Sequence, residues 1–405
     1  MRWRLSLLIL TALAVDGRAD DWPQFLGPRR DGVSAETGAK PWGQAGPKVV
    51  WSRDVGSGYA GPVVAGARLV VFHRVGDEEI VECLNAADAK PLWKYGYPTA
   101  FADDFRKGNG PRATPTIAGG KVVTYGADGW LHAFELTTGK KLWGRDLVRA
   151  FNVPESFFGV GSSPLVVGDR VLVNVGGKDA GIVAFELDSG KELWKATSDG
   201  ASYSSPTLTL LDGAPHAVFF TRSGVVIVDV QTGELRLQMR WRARIDASVN
   251  AATPLILGDT AFFSTSYDTG ALMLKLRKDG ADKLWDSDEV MSNHYNTSIH
   301  KGGHLYGFHG RQEAGASFRC VELKTQKVCW DRPRFGCGSM ILAGDKLIVL
   351  TESGELLLVE ATPQAYRELA RAQVFPSGPC RAQIALANGR LCARDQKKLS
   401  CLEMK

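Results

Sequence analysis

Apolar and polar positions alternate in short runs along this chain, and Gly or Asp-Gly pairs separate the runs. Residues 114–143 show the unit most clearly. Thr114-Pro115-Thr116-Ile117 opens it, Gly119-Gly120 turns, and Val122-Val123-Thr124-Tyr125 follows. Asp128-Gly129 turns again, and Leu131 to Leu136 leads through Gly139 to Trp143. Period-two alternation broken by such turns predicts four antiparallel strands in a meander. The unit recurs from Ser163-Pro164 to Trp194, and later copies open at Ser205-Pro206, Thr253-Pro254, Thr297-Ser298, Gly338-Ser339 and Arg381-Ala382.

The last strand of the unit carries a phrase that makes the repeat measurable. Thr137-Thr138-Gly139-Lys140-Lys141-Leu142-Trp143 returns as Asp188-Ser189-Gly190-Lys191-Glu192-Leu193-Trp194, with degenerate copies ending at Trp93, Trp285 and Trp330. Adding Trp51 and counting Leu237 and Leu369 as worn copies, the marks fall 42, 50, 51, 43, 48, 45 and 39 residues apart. That spacing suits a four-stranded propeller blade. The front of the chain has a lone Trp strand, Lys48 to Trp51, and the end has inner strands without one, Leu391 to Arg394 and Leu399 to Leu402. Pairing the two removes an open sheet edge and predicts an all-β, eight-bladed propeller closed by its own termini. Trp51, Trp93, Trp143, Trp194, Trp285 and Trp330 are assigned to docking one blade on the small Gly and Ala positions of the next. The segment from Pro363 to Ala372 is helix-like and is expected to decorate the seventh blade.

Residues 1–19 stand apart. Arg2 and Arg4 precede an apolar run from Leu5 to Val15, and Gly17 and Ala19 flank a cut, the pattern of a cleavable export signal. Eleven apolar residues are too few to span a bilayer, so no membrane span is expected. Nor does a Cys beside the cut offer a lipid anchor. Residues 20–47 are then an N-terminal arm, and 48–405 the propeller. Loss of the leader takes the formal charge from +5 to +3, too weak a balance for a nucleic-acid partner. Of seven cysteines, Cys320/Cys329 and Cys392/Cys401 each sit nine apart around a turn, where a disulfide can form. The repeat register also places Cys83, Cys320 and Cys401 where other copies hold Ala133 and Ala184, a small buried slot that suits a free thiol.

In a meander, the connectors entering each inner strand and the second-to-third-strand turns share one face, where ligand sites are favoured. Just before the inner strands stand Arg112, Tyr203, Asn250, Asn296 and Arg381. They either ring the channel mouth and bind an anionic or quinone-like ligand, or satisfy connector backbone and channel water. Asp103 and Asp104 are a weak calcium pair without the alternating oxygen ligands of a calcium loop. His294 and His309 belong to this face and His300 and His304 to the opposite one, so the four do not form one metal site.

The blades resemble the quinoprotein-type, pyrroloquinoline-quinone (PQQ) repeat propellers, whose docking motif runs Ala-x-Asp-x-x-Thr-Gly-Lys-x-x-Trp. Ala133 to Trp143 matches with Glu135 for Asp, and Ala184 to Trp194 with a further Ser189 for Thr. Asp21-Trp22-Pro23-Gln24-Phe25-Leu26-Gly27-Pro28 also looks like the leader of exported members. In the family's dehydrogenases the resemblance implies PQQ between a Trp and a disulfide of adjacent cysteines, with calcium and an Asp base. No two cysteines are adjacent in this chain, so no catalytic residue carries over. Its other members carry no cofactor and serve as interaction scaffolds. The expectation is therefore a monomeric, exported, non-catalytic scaffold with an envelope or secreted protein partner and no cofactor. A PQQ- and calcium-dependent alcohol or sugar dehydrogenase is the alternative.

Overall fold

The computed structural model describes residues 21–103, 108–154, 158–245, 248–376 and 378–405, so the expected export signal, Asp104 and Ser377 lie outside it. Eight sheets surround one axis, and each is built as a four-stranded meander with its first strand innermost. In chain order, blade 1 spans residues 63–98, blade 2 116–146, blade 3 165–196 and blade 4 207–240. Blade 5 spans 255–287, blade 6 299–332 and blade 7 338–373. Blade 8 takes three strands from residues 385–403 and its outer strand from Val49–Asp54. Val49 pairs with Leu402 and Trp51 with Cys401, so the termini close the ring as the repeat count requires. Its inner strand, Ala385–Ala387, lies beside Val63–Ala65 of blade 1.

The register explains the Trp phrase. Trp93 faces Cys83, Trp143 faces Ala133, Trp194 faces Ala184, Trp285 faces Met273, Trp330 faces Cys320 and Trp51 faces Cys401. The residue just before each Trp is skipped by a β-bulge, and blades 4 and 7 bulge at the equivalent place. A bulge on the outermost strand also interrupts the ladder that a foreign strand would extend. Each indole then leans on the next blade. A Cβ on Gly139, Gly190 or Gly233 would come within 2.5 Å of Trp93, Trp143 or Trp194 respectively. These glycines also hold φ between +67° and +74°, which a side chain strains. The indole N–H groups of Trp93, Trp143 and Trp194 donate across the same seam to the carbonyls of Leu136, Leu187 and Val230, at 2.8–3.1 Å.

Two expectations are corrected in blade 7. Glu368–Gln373 is a strand and not helical, and residues 369–373 alternate between exposed and buried as the outer strand of a half-covered blade. Ala370, opposite Leu358, holds the Trp place, while Leu369 is the exposed bulge residue. The hydrophobic cluster around Ala370 gains Trp42 from the N-terminal arm, which runs past with Gly46 against Ala372. One short helix, Leu147–Phe151, follows the outer strand of blade 2.

The Ser/Thr openings of the blades form a second seam, at the inner strands. The backbone N–H of Gly61 donates to Thr114 Oγ1, Thr114 to Ser163 Oγ and Ser163 to Ser205 Oγ. Ser205 donates in turn to Thr253 Oγ1, and Thr253 to Thr297 Oγ1. A connector that leaves its sheet has a buried N–H to satisfy, and the next blade's hydroxyl does so. The belt links blades 1 to 6 at 2.9–3.3 Å.

The arm enters the ring from the face opposite the connectors. Trp22 bridges to Val64 of blade 1, and Pro23 accepts from Ile117 of blade 2. Val33–Ser34 pairs in parallel with blade 7, and Glu36 accepts from Gly389 of blade 8. Between these anchors Arg30 reaches the axis, only 2% exposed. Its guanidinium donates to Gln24 Oε1, to Thr116 Oγ1 and to the carbonyls of Ser163, Pro164 and Pro206. Five N–H groups thus meet five acceptors drawn from the arm and from blades 2, 3 and 4. Burial lowers the Arg30 pKa to about 9, still cationic at neutral pH.

Trp143→Ala should lower the unfolding free energy by about 3–5 kcal/mol in denaturant titration. Ser205→Ala strips the acceptor from Ser163 N–H and should cost about 1–3 kcal/mol. Ser204→Ala, whose buried hydroxyl has no partner among the described residues, should stay within about 0.5 kcal/mol of the parent.

Candidate functional site

The connector face holds an almost continuous circuit of aromatic and guanidinium groups around the axis. Arg112, before blade 2, has its guanidinium 5.5 Å from the Tyr59 ring centre, 5.7 Å from Phe101 and 5.6 Å from Phe158. Phe158 meets Tyr203 edge-on at 5.6 Å, and its backbone N–H donates to the Tyr203 hydroxyl. Farther round, Tyr267 in a turn of blade 5 meets His294, which meets Tyr295. Arg381, before blade 8, closes the circuit at 5.9 Å from Tyr295 and 5.7 Å from the same Tyr59. Cations at this range over a partly desolvated ring gain about 0.5–2 kcal/mol each.

The circuit is charge-balanced within itself. Arg112 pairs with Asp103 at 2.9 Å and Arg381 with Glu352 at 2.7 Å. The Tyr295 hydroxyl donates to the same Glu352 oxygen. Burial lowers the Arg112 pKa, whereas at Arg381 burial is the largest single influence but Glu352, Tyr295 and Tyr59 together outweigh it and hold the pKa above the ordinary value. His294 is pushed down to about 4, chiefly by burial, so it is a neutral imidazole whose Nε2 lies 2.8 Å from the Tyr267 hydroxyl. Glu79, below the rim, is pushed up to about 7 by burial, but Tyr97 and the Ala127 N–H occupy its two oxygens. It braces blade 1 against blade 2.

The structure divides the five residues singled out from sequence. Arg112, Tyr203 and Arg381 belong to the circuit. Asn250 and Asn296 do not: they are buried and spend their amide N–H groups on the carbonyls of Thr221, Trp241 and Gly338. For these two, the backbone-satisfying role holds. Asp103 pairs with Arg112, and Asp104 is outside the described residues. His300 and His304 bond to Gly303 and Gly302 at a turn on the far face, away from His294 and His309. Tyr59 and Glu352 were missed by sequence reasoning. Tyr59 had a signal, because it stands three residues before Pro62, as Arg112 and Tyr203 stand before Pro115 and Pro206. In blade 3 that slot is Gly161, and the Tyr203 ring occupies the space its Cβ would take.

The donor set does not fit PQQ with calcium. Cys337 and Cys380, the cysteines of the connector face, lie in separate connectors. Both carboxylates of the circuit are held by guanidinium groups, so a divalent cation there would meet two positive charges. Among the described residues no three His, Cys, Asp or Glu side chains converge as a metal site.

Similarity to known proteins agrees with the architecture. Outer membrane protein assembly factor BamB of Burkholderia pseudomallei is 25% identical over 312 residues, 72% of this chain and 73% of that protein. The quinohemoprotein alcohol dehydrogenase ADH-IIG of Pseudomonas putida is 28% identical over 141 residues, 33% of this chain but only 18% of the enzyme. The crystal structure of BamB from Moraxella catarrhalis superposes with a TM-score of 0.65 at 15% identity, covering 89% of this chain and 98% of that one. The family model described as outer membrane protein assembly factor BamB matches residues 31–154 and 152–332. With eight blades closed by the termini, six of them carrying the Trp phrase, the chain belongs to this PQQ-repeat β-propeller family.

Proposed function

We propose that the protein is an exported, non-catalytic propeller that serves as a protein-binding scaffold in the cell envelope, with the connector face as its contact surface. The balance of charges within the site carries this reading. Arg30 is buried against the inner-strand openings of blades 2 to 4 with every N–H used, and the mouth circuit pairs its own charges, so neither offers a poised acid, base or nucleophile. The connector face is the one rich in Tyr and Arg, side chains enriched at protein interfaces.

Family membership and the match to assembly factors along most of their length support the same role. The apolar leader supports export, with residues 1–19 removed and the remainder acting as a monomer beyond the inner membrane. Among the described residues no helix is long and apolar enough to cross a membrane.

Arg311 is an exposed rim cation 4.7 Å over Tyr267, and it tests the face without disturbing the core. In affinity capture from envelope extract, Arg311→Glu should reduce the recovered partner several-fold, whereas Lys140→Glu on the opposite face should not. Purified protein titrated with PQQ and calcium should show no absorbance shift and no dye-linked alcohol oxidation. Saturable binding with turnover would replace the scaffold by the dehydrogenase.

A further inference from the structure

All seven cysteines are free thiols in the structure, and six are buried. The strand register separates the two pairs that spacing alone cannot. Cys320 faces Trp330, and Cys329 is the residue skipped by the bulge, so that pair is offset although its thiols lie within hydrogen-bond reach. Cys392 and Cys401 instead face each other directly across the two central strands of blade 8.

The ladder fixes the kind of pair they make. Asp395 N–H donates to the Lys398 carbonyl, and Met404 N–H to that of Gly389. Hydrogen-bonded pairs alternate along an antiparallel ladder, which leaves 392/401 a non-hydrogen-bonded pair. There the Cα atoms approach to about 4.5 Å, inside the roughly 4.4–6.8 Å range that a disulfide spans. The two thiols share a hydrogen bond, and both residues are at most 3% exposed.

We propose that Cys392 and Cys401 are an oxidisable dithiol that becomes a cross-strand disulfide when the chain folds in an oxidising compartment. The bridge staples the hairpin on which Val49–Asp54 must zip to close the ring. Because both thiols are buried in the finished blade, the chemistry belongs to the stage before Val49–Asp54 docks. A thiolate, most readily that of Cys401, attacks a small disulfide or the disulfide of a thiol oxidase and expels one thiolate. Cys392 then attacks the Cys401 sulfur of the mixed disulfide and expels the second thiolate. Two protein thiols are oxidised, one external disulfide is reduced, and two protons pass to water or to the departing thiolates. The hydrogen bond from Cys392 lowers the Cys401 pKa, consistent with this order.

The inference rests on the export reading only for the place where oxidation happens, and two measurements keep the parts separate. Protein purified from the envelope without reductant and denatured in N-ethylmaleimide should carry five adducts on its seven cysteines, with peptides containing Cys392 and Cys401 joined. Reduced protein refolded in mixed oxidised and reduced glutathione should form the same link. Its thermal midpoint should fall on adding reductant, a drop absent in Cys401→Ala, which places in blade 8 the residue that blades 2 and 3 hold as Ala133 and Ala184. A link formed in glutathione but missing from cellular protein would remove the export reading and leave the pair standing. Seven adducts after oxidative refolding, or a link at Cys320–Cys329 in its place, would overturn the proposal.

Discussion

The outer strand of a blade carries a ring whose seat is on the next blade, and the remaining architecture follows from that one-way contact. An indole resting on a glycine turn of its successor buries both, and neither blade can do this alone. Such head-to-tail contacts end only when the last blade docks on the first, as Trp51 of blade 8 does by donating to the Ala86 carbonyl of blade 1. At the seams into blades 2, 3 and 4 the glycine is required twice, once for its positive φ and once because the ring occupies the place of a Cβ. The hydroxyl belt at the inner strands repeats the logic with hydrogen bonds. Blades 2 to 6 each supply the acceptor that the predecessor's connector lacks.

A ring assembled this way has a hole, and this chain lays its own N-terminal arm across one end of it. The arm touches blades on opposite sides of the axis, so it acts as a brace. Arg30 is a buried cation without a carboxylate, tolerable because three main-chain carbonyls and two side-chain oxygens converge on it. Desolvation of its charge is offset by the number of acceptors, which the ring geometry provides at one point. The same arm lends Trp42 to the cluster around Ala370, in one of the two blades that lack a docking Trp. The connector face carries the denser set of aromatic and charged groups.

That face also shows why chemically suggestive residues need a structural test. Two arginines, two acids, a histidine and several tyrosines at a channel mouth resemble a catalytic inventory. In the fold they are spent on each other. Burial keeps His294 neutral, Glu352 is shared by Arg381 and Tyr295, and Asp103 is held by Arg112. The result is a pre-ordered, amphipathic surface, as recognition by rigid aromatic anchors requires.

The sequence by itself determined the architecture, since alternation, turn glycines and a Trp phrase whose intact and worn copies return every 39 to 51 residues admit one closed arrangement. It also separated the histidines by face, because strand order decides which turns share an end. Only the tertiary structure decided what each polar residue does. Tyr203 and Asn250 hold similar places before inner strands, yet one joins an aromatic circuit and the other ties down backbone. Local pattern says where a side chain starts, while the neighbouring blade decides what it meets. The arm's path was hidden for the same reason, and so was which of the two spaced pairs, Cys320/Cys329 or Cys392/Cys401, stands directly opposed. A route across the axis and a strand register are set by contacts between segments far apart in the chain, which periodicity within a segment does not encode.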